Sequence, residues 1–548
     1  MAYYSLHAYD ADVWIPSFVG LNEYGAGDNV DVRYAVEVQN VETPGGVLQP
    51  AALEESYSSP GLGYVETLLT FRRRWAVDEN EKEVLIIASG GKIYYTITTM
   101  AECIQIDLPN DVVAFSNNCW SAVSYEIPAE NDAGKVDVLL VTNPDDGMYM
   151  IIPPDALYTW NSAKTQTWQY FKGSEEPYGT WEDMRTAKWT MDPVDTRTDP
   201  DDDDEPQKKF AFIERYAERI WGGGCKDQPD TMYYSRAYDP TDWSGPEEGD
   251  DPADAAGEIQ QPSWDGDKFT ALKRFGDTLI AFKEHHIWRI TGSDPSNYVF
   301  SEQFGGGCPY PGTIVEDVER LLFAQDDGLA FYDGSSVQPF MRQYIDKTWK
   351  DIQNGWKNKP TGLMFDERYY LKAGNFTIIY NKVDNSFLLN TSKAECICVY
   401  KGKVVGHDYM IGRWPNPGRN NGLTLLYDSW KTGKVTSTMS RWFSPWMDFG
   451  YKRITKGGFD LYFTPEVKNK AVTFTFRVRT EKKVKEKTYT VNPMTAQEKE
   501  NGKLLKPKKL HFSGTGRRFR VEIEVNNETD APWRLLGGLH LVVETDSD

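Results

Sequence analysis

The stretch YAERIWGGGCKDQPDTMYYSRAYDPTDW, from Tyr216 to Trp243, contains the unit that decides the fold. An apolar run leads into a glycine cluster, a polar turn follows, and a second run rich in aromatic residues completes the unit. Aromatic residues favour strands, and glycine with polar residues favours the tight turns that join them. The stretch therefore predicts a β-hairpin.

The same plan recurs along the chain about every 40 to 60 residues, a spacing typical of four-stranded propeller blades. Two units share the turn Asp-Asp-Gly, at 145–147 and 326–328, and WGGGC at 221–225 is echoed by FGGGC at 304–308. We therefore expect an all-β fold with a β-propeller of roughly six to eight blades. A chain of separate β-sandwiches is the alternative. The six further units lie at 84–97, 136–151, 276–291, 318–334, 366–389 and 396–414.

Beyond residue 438 apolar and polar residues alternate strictly, as in TFTFRVRT and FRVEIEV, which predicts half-buried antiparallel strands. We divide the chain into an N-terminal segment with the first strands (1–63), a β-propeller (64–438) and a C-terminal β-sandwich (439–548). Acidic inserts at 192–206 and 244–258 are expected to be solvated loops of the propeller. One short helix is predicted at 344–353, with Ile345, Trp349 and Ile352 on one face.

The formal net charge of the 548-residue chain is -22, which disfavours conventional nucleic-acid binding over the whole surface. A channel through which DNA slides without adhering remains compatible with it. The charge is unevenly distributed, because lysine and arginine outnumber acids in 481–520. Six cysteines in so long a chain indicate reduced thiols, and the sequence predicts neither a cleaved signal nor a membrane segment.

No motif indicates a catalytic, cofactor-binding or metal-binding site, and we expect a protein that is not an enzyme and has no cofactor. His285 and His286 are neighbours in an expected strand and would point to opposite faces. Cys396 and Cys398 are interpreted as packed thiols. The run Asp201, Asp202, Asp203 and Asp204 lacks the glycine and closing glutamate of a calcium loop and predicts an acidic surface loop.

The opening stretch resembles a segment of propeller proteins in bacteriophage tails, in which a strand leads through a turn to a tyrosine-rich strand and then to Asp-Pro and Trp. Three further regions resemble the same family in the same order: 18–51, its opening motif; 276–292 with 307–340, its central blades; and 514–544, its terminal sandwich. Together they cover about half of the chain. The first departs from the family pattern where it ends in LQPAAL.

The resemblance implies a virion protein of the tail nozzle or packaged-DNA stabilisation type of short-tailed phages, assembled in the bacterial host cytoplasm. Its copies would form a homo-oligomeric ring, commonly a hexamer, below the phage portal and adaptor, with DNA passing through the lumen. The loop of Asp201, Asp202, Asp203 and Asp204 is then a candidate for facing that channel. The alternatives are a carbohydrate-binding or carbohydrate-degrading tail receptor protein, and a host propeller scaffold unrelated to a virus.

Overall fold

The fold was analysed in a computed structural model, which describes most of the chain. The described residues are 5–7, 10–23, 31–51, 53–58, 62, 65–76, 79–97, 102–117, 119–128, 135–153, 158–160, 166–168, 189–246, 251–261, 266–353, 360–374, 376–391, 394–401, 403–408, 422–427, 435, 438–448, 454–500 and 504–545.

The N-terminal region contributes short strands, which join one of two units or pair with each other. They are β1 (Ser5–His7), β2 (Asp10–Ile15), β3 (Glu37–Gln39), β4 (Val41–Glu42), β5 (Gln49–Pro50) and β6 (Leu53–Ser58). Single 3₁₀ turns lie at Pro44–Gly46, Glu79–Glu81, Pro311–Thr313 and Arg342–Tyr344.

Seven four-stranded antiparallel sheets follow among the described residues, and these are the blades of a β-propeller. Blade 1 contains β7 (Val65–Arg72), β8 (Glu83–Ser89), β9 (Lys92–Thr96) and β10 (Ile104–Gln105), and blade 2 contains β11 (Ser121–Pro128), β12 (Lys135–Asn143), β13 (Gly147–Ile152) and, after a hairpin of β14 (Tyr158–Trp160) and β15 (Gln166–Trp168), β16 (Thr190–Pro193). Blade 3 contains β17 (Phe212–Tyr216), β18 (Arg219–Gly223), β19 (Thr231–Tyr234) and β20 (Gly257–Gln260), and blade 4 contains β21 (Phe269–Phe275), β22 (Thr278–Lys283), β23 (Ile287–Thr291) and β24 (Val299–Gln303). Blade 5 contains β25 (Val315–Asp317), β26 (Arg320–Gln325), β27 (Gly328–Tyr332) and β28 (Val337–Pro339), blade 6 contains β29 (Thr361–Phe365), β30 (Arg368–Ala373), β31 (Phe376–Asn381) and β32 (Ser386–Thr391), and blade 7 contains β33 (Ala394–Tyr400), β34 (Lys403–Asp408) and β35 (Gly422–Tyr427).

The ring of blades is closed by the N-terminal region. The fourth strand of blade 7 is β6, which pairs antiparallel with β35 from Leu53 opposite Tyr427 to Ser58 opposite Gly422. First strands of neighbouring blades contact one another around the centre, and β33 of blade 7 returns to β7 of blade 1. Blades 4 and 5 are joined by a shared apolar cluster. The expected all-β propeller is therefore confirmed, with seven blades in the described part of the chain.

Alternate residues of one strand pack against the two neighbouring blades. In β22, Leu279 and Ala281 pack against blade 3, whereas Ile280 and Phe282 pack against blade 5. A strand buried on both faces needs a continuous apolar run. This explains why the units recognised in the sequence begin with such a run, and each of the seven lies in a different blade.

The glycines of the opening stretch are required by close packing. A Cβ at Gly222 would lie 2.7 Å from the ring of Phe210, and a Cβ at Gly224 would lie 2.7 Å from the ring of Phe212. Gly224 also has a φ of +73°, which favours glycine. The hairpin predicted there is formed by β18 and β19.

The second glycine cluster, in FGGGC, is not an equivalent position. Gly307 lies in the connection between blades 4 and 5, where a Cβ would be 2.2 Å from the carbonyl oxygen of Lys283. The prediction that the two clusters are equivalent parts of a repeat was therefore wrong. In contrast, both Asp-Asp-Gly segments join the second and third strands of their blades.

The C-terminal region forms a β-sandwich, as predicted, but N-terminal strands complete it. One sheet has the order β1, β2, β43, β38 and β41, and the other has the order β3, β36, β42, β39 and β40, with β37 beside β42. The strands new here are β36 (Met439–Phe443), β37 (Met447–Asp448), β38 (Ile454–Val467), β39 (Val472–Thr480), β40 (Val484–Val491), β41 (Lys508–Phe512), β42 (Arg518–Asn526) and β43 (Trp533–Thr545). The alternating positions predicted to point inward, including Phe474, Phe476 and Val521, are buried.

The propeller and the sandwich share one apolar core. It joins blades 5 and 6 to the interior of the sandwich, with Tyr380 and Trp442 among its buried residues. The side chain of Asn40 connects the two units, because its Oδ1 accepts the Thr391 amide hydrogen (2.7 Å) and its Nδ2 donates to the Met439 carbonyl (2.9 Å).

The predicted short helix is present as α1 (Asp346–Gln353), with Trp349 and Ile352 buried. A second short helix, α2 (Ala496–Glu500), lies in the sandwich. Across the ranges given above, no helix is long and apolar enough to span a membrane.

Candidate functional site

The predicted acidic loop lies between β16 of blade 2 and β17 of blade 3. The side chains of Asp201, Asp202, Asp203 and Asp204 are exposed. The backbone beneath them is held by Glu205, whose carboxylate accepts the amide hydrogens of Thr198 (2.9 Å) and Asp199 (2.7 Å). We call Asp199 together with Asp201–Asp204 the acidic loop.

Two carboxylates at the base of this loop are strongly stabilised in the ionised form. The Arg197 guanidinium, 2.7 Å from Asp195, holds the pKa of Asp195 at about 2. Burial by itself would raise the pKa of Glu205, but the amides of Asp199 and Thr198 and the Lys208 ammonium outweigh it and lower the pKa to about 2. The loop is therefore a built, charged structure at neutral pH.

The acidic loop lies against the outer half of blade 3. The Lys208 ammonium sits 5.5 Å from the ring centre of Tyr233, on the third strand from the centre, and the Gly245 amide donates to the Thr198 carbonyl (2.9 Å). The second acidic insert, 244–258, thus approaches the first, although 247–250 lie outside the described residues. Whether the loop faces the channel of a ring is a property of an assembly and stays a prediction.

The two adjacent histidines occupy the turn between β22 and β23 and not a strand, which corrects the sequence-based expectation. They point apart all the same. His285 Nδ1 lies 3.5 Å from Asp267 Oδ1, and His286 Nδ1 lies 2.7 Å from Glu302 Oε1.

His285 also belongs to a group of three potential metal ligands with Asp267 and Glu284, whose ligand atoms lie within 4.8 Å of one another. The buried Asp267 carboxylate already accepts the amide hydrogens of Glu284 (3.1 Å) and His285 (2.9 Å). This arrangement is typical of an aspartate that fixes a turn, so the contacts account for the group without a metal.

Three of the six cysteines, Cys225, Cys308 and Cys396, are buried, and the other three are half-buried. Burial raises the pKa of Cys398 and of Cys308 to about 12, and that of Cys225 to about 11. Cys396 packs in the apolar cluster between blades 7 and 1. Because a thiolate is the nucleophilic form, these groups are poorly suited to catalysis at neutral pH.

A groove on the sandwich is a site that the sequence alone did not locate. It has a volume of about 480 Å³ and is lined by Trp446, Arg479, Thr480, Glu481, Lys482, Lys483, Val484 and Arg518. Four of these side chains are cationic and one is acidic. We call this cavity the basic groove.

The floor of the basic groove is rigid. Arg479 Nε lies 2.5 Å from the carboxylate of the buried Glu522, which also accepts from Arg520 at 2.8 Å. Burial raises the pKa of Glu522, but the two guanidiniums outweigh it and hold the pKa below its usual range. The Arg520 guanidinium also lies 5.5 Å from the Trp446 ring centre. These contacts hold the Arg479 and Arg520 guanidiniums in place.

The cationic character continues from the groove along the edge of the sandwich. Lys482 and Lys483 form the turn before β40, and Lys485 and Lys487 lie on β40, which pairs with β39 alone among the described strands. All four side chains are exposed. We call these four lysines the basic edge. The sequence signal for it was the lysine excess in 481–520, which by itself does not reveal that the residues line one edge.

Comparison with known proteins identifies no family. No protein-family model matches the chain, and no curated protein matches it. Among the similar solved structures is the AfRom2 CNH domain, at 10% identity with a TM-score of 0.33, covering 69% of this chain and 97% of that chain. Another is a glycoside hydrolase family 43 arabinoxylan arabinofuranohydrolase from Bacillus subtilis, in complex with cellotetraose, at 11% identity with a TM-score of 0.25, covering 95% of this chain and 98% of that chain.

The second of these structures corrects the expectation that the protein is not an enzyme. That structure is of a glycoside hydrolase, and its alignment covers 95% of this chain. At TM-scores of 0.33 and 0.25 neither similarity assigns a function to this chain.

Proposed function

We propose that the protein is a structural subunit of the tail nozzle of a short-tailed bacteriophage. Its copies form a ring below the portal and adaptor, and the genome passes through the lumen. The resemblance of the opening stretch and of three further regions to tail propeller proteins, in the same order along the chain, supports this proposal.

The observation that carries the proposal is the interlock of the propeller and the sandwich. Strand β6 closes blade 7, β1–β3 complete the sandwich, and the two units share a core. A subunit of a conduit that retains a packaged genome must resist opening. Because the N-terminal region provides strands to both the propeller and the sandwich, the two units are held together as a rigid body.

The charge of the chain agrees with this role. A net charge of -22 repels the DNA backbone and keeps the genome from adhering to the wall of a channel. Low adhesion favours rapid ejection, because each contact between a cation and a phosphate would add to friction.

Electron microscopy of the purified protein, alone and with portal and adaptor, tests the proposal. We expect closed rings, or ring formation on the portal–adaptor complex, with a bore wide enough for duplex DNA. A solitary subunit that binds neither component would contradict it. Degradation of host cell-wall or capsule glycans, lost on changing one carboxylate, would favour the carbohydrate-active alternative.

A further inference from the structure

We propose that the basic edge of one copy docks on the acidic loop of the neighbouring copy. This inference rests on the proposed function, and it identifies the surfaces that join subunits in the ring. It also places the acidic loop between copies and not on the wall of the lumen.

The basic edge is available for a partner. Lys482, Lys483, Lys485 and Lys487 are exposed, and among the described residues no carboxylate forms an ion pair with them. Val484 lies between these lysines with 42% of its surface exposed, and no strand within the described ranges pairs with the outer edge of β40. Lysines on an edge strand also prevent unwanted pairing, but these four lie beside a groove that is lined by two further cationic side chains, Arg479 and Arg518.

The acidic loop is equally available and opposite in charge. Asp203 is fully exposed, and Arg197, which lies 3.5 Å from it, is already paired with Asp195. The Glu205 carboxylate fixes the backbone at Thr198 and Asp199, so docking would order this part of the loop with little further cost in conformational entropy. The loop therefore presents surplus negative charge on a rigid support.

A second copy fits the basic edge better than DNA does. Identical copies with a net charge of -22 repel one another, and a contact of opposite charge offsets this repulsion locally. The same net charge disfavours the approach of a nucleic acid. Because the two surfaces differ, the contact is head-to-tail, and each copy uses both surfaces once, as a closed ring requires.

A charge-swap experiment in the full-length protein tests the contact. The first variant carries Lys485→Glu with Lys487→Glu, and the second carries Asp201→Lys with Asp203→Lys. A third variant combines all four changes. The control carries Lys268→Glu with Lys347→Glu, which alters net charge as much as the first variant but at exposed propeller positions. Self-association is measured by analytical ultracentrifugation at low and high salt.

We expect each reversal to weaken self-association by about tenfold or more and the combined variant to recover most of the loss. The control should associate nearly as well as the unmodified protein. High salt should weaken the self-association of the unmodified protein. Circular dichroism checks that all variants fold.

Three results would overturn the contact. If both reversal variants associate normally, the proposed contact is wrong, but the ring and the proposed function are not contradicted. Failure of the combined variant to recover would show that the two surfaces do not meet. Loss of binding to a short DNA duplex in the first variant, with association unchanged, would assign the basic edge to nucleic acid. An unmodified protein that never associates, even with portal and adaptor, contradicts the proposed function itself.

Discussion

Single side chains determine the shape of the acidic loop, and Glu205 is the most important of them. Its pKa is lowered in the folded protein, so its contribution to stability is present above the unfolded value of 4.5 and is lost as pH falls toward about 2. We expect the amides of Thr198 and Asp199 to lose protection from hydrogen exchange as the pH falls from about 4.5 toward 2, as a local opening on the order of 1 kcal/mol.

The matched variant is Glu205→Gln, which removes the charge but keeps the shape. Its loop should exchange rapidly at neutral pH and show little further change on acidification. Hydrogen exchange measured by mass spectrometry, with the amides of β22 as an internal reference, separates local opening from global unfolding. Equal protection in the variant and the unmodified protein at pH 7 would show that Glu205 does not hold the loop.

Gly20 determines the junction of the propeller and the sandwich. A Cβ at this position would lie 2.1 Å from the carbonyl oxygen of Phe387, whose backbone accepts from Leu21. We expect Gly20→Ala to lower the free energy of unfolding by about 2 to 3 kcal/mol, because the backbones must separate. Gly514→Ala, where the nearest atom lies 4.0 Å away, should have a much smaller effect. Chemical denaturation measures both, and equal effects would contradict the steric argument.

At the scale of elements, the sequence predicted what is local. The apolar runs and turn residues of a hairpin lie side by side in the chain, so each of the seven units fell in a different blade. The helix at α1 was predictable for the same reason. Long-range pairing leaves no such signal: nothing in 53–58 indicates that this strand joins β35, and nothing in 5–15 indicates the C-terminal sandwich.

The candidate surfaces show the same limit. The run Asp201–Asp204 of the acidic loop is contiguous in the sequence and was recognised directly. The basic groove combines Trp446, Arg479 and Arg518 from separate parts of the chain, so only the fold brings them together. The glycine clusters led to a wrong prediction of the other kind. The sequences at 221–225 and 304–308 are similar, but the two segments occupy different positions in the propeller.

The N-terminal strands provide a prediction at this scale. A chain that begins at residue 62 lacks the fourth strand of blade 7 and three strands of the sandwich, and we expect it to aggregate or to lose its cooperative thermal transition. A chain that begins at residue 10 lacks only β1, an outermost strand, and should retain the transition. Differential scanning calorimetry compares the two. A soluble shorter chain that melts like the longer one would show that β6 does not secure the ring.

For the whole molecule, the distribution of charge leads to a prediction about the bore. The carboxylates of Asp201–Asp204 cannot both bind a neighbouring copy and line the channel. We expect an electron-microscopy map of the ring to show Asp201–Asp204 at a subunit boundary, within ion-pair distance of the lysines of β40. Density for these aspartates on an open inner wall would favour the placement predicted from the sequence, and a basic bore would contradict low-friction passage altogether.

The closure of blade 7 by β6 also has a consequence for biosynthesis. The ribosome makes β6 early, yet its partner β35 emerges only after roughly 370 further residues. At ~5–20 residues per second, the early strand waits on the order of 20 to 70 seconds with its edge uncovered. Until then neither the propeller nor the sandwich can be completed, so a nascent chain of this topology depends on protection from premature pairing with its neighbours on the same messenger.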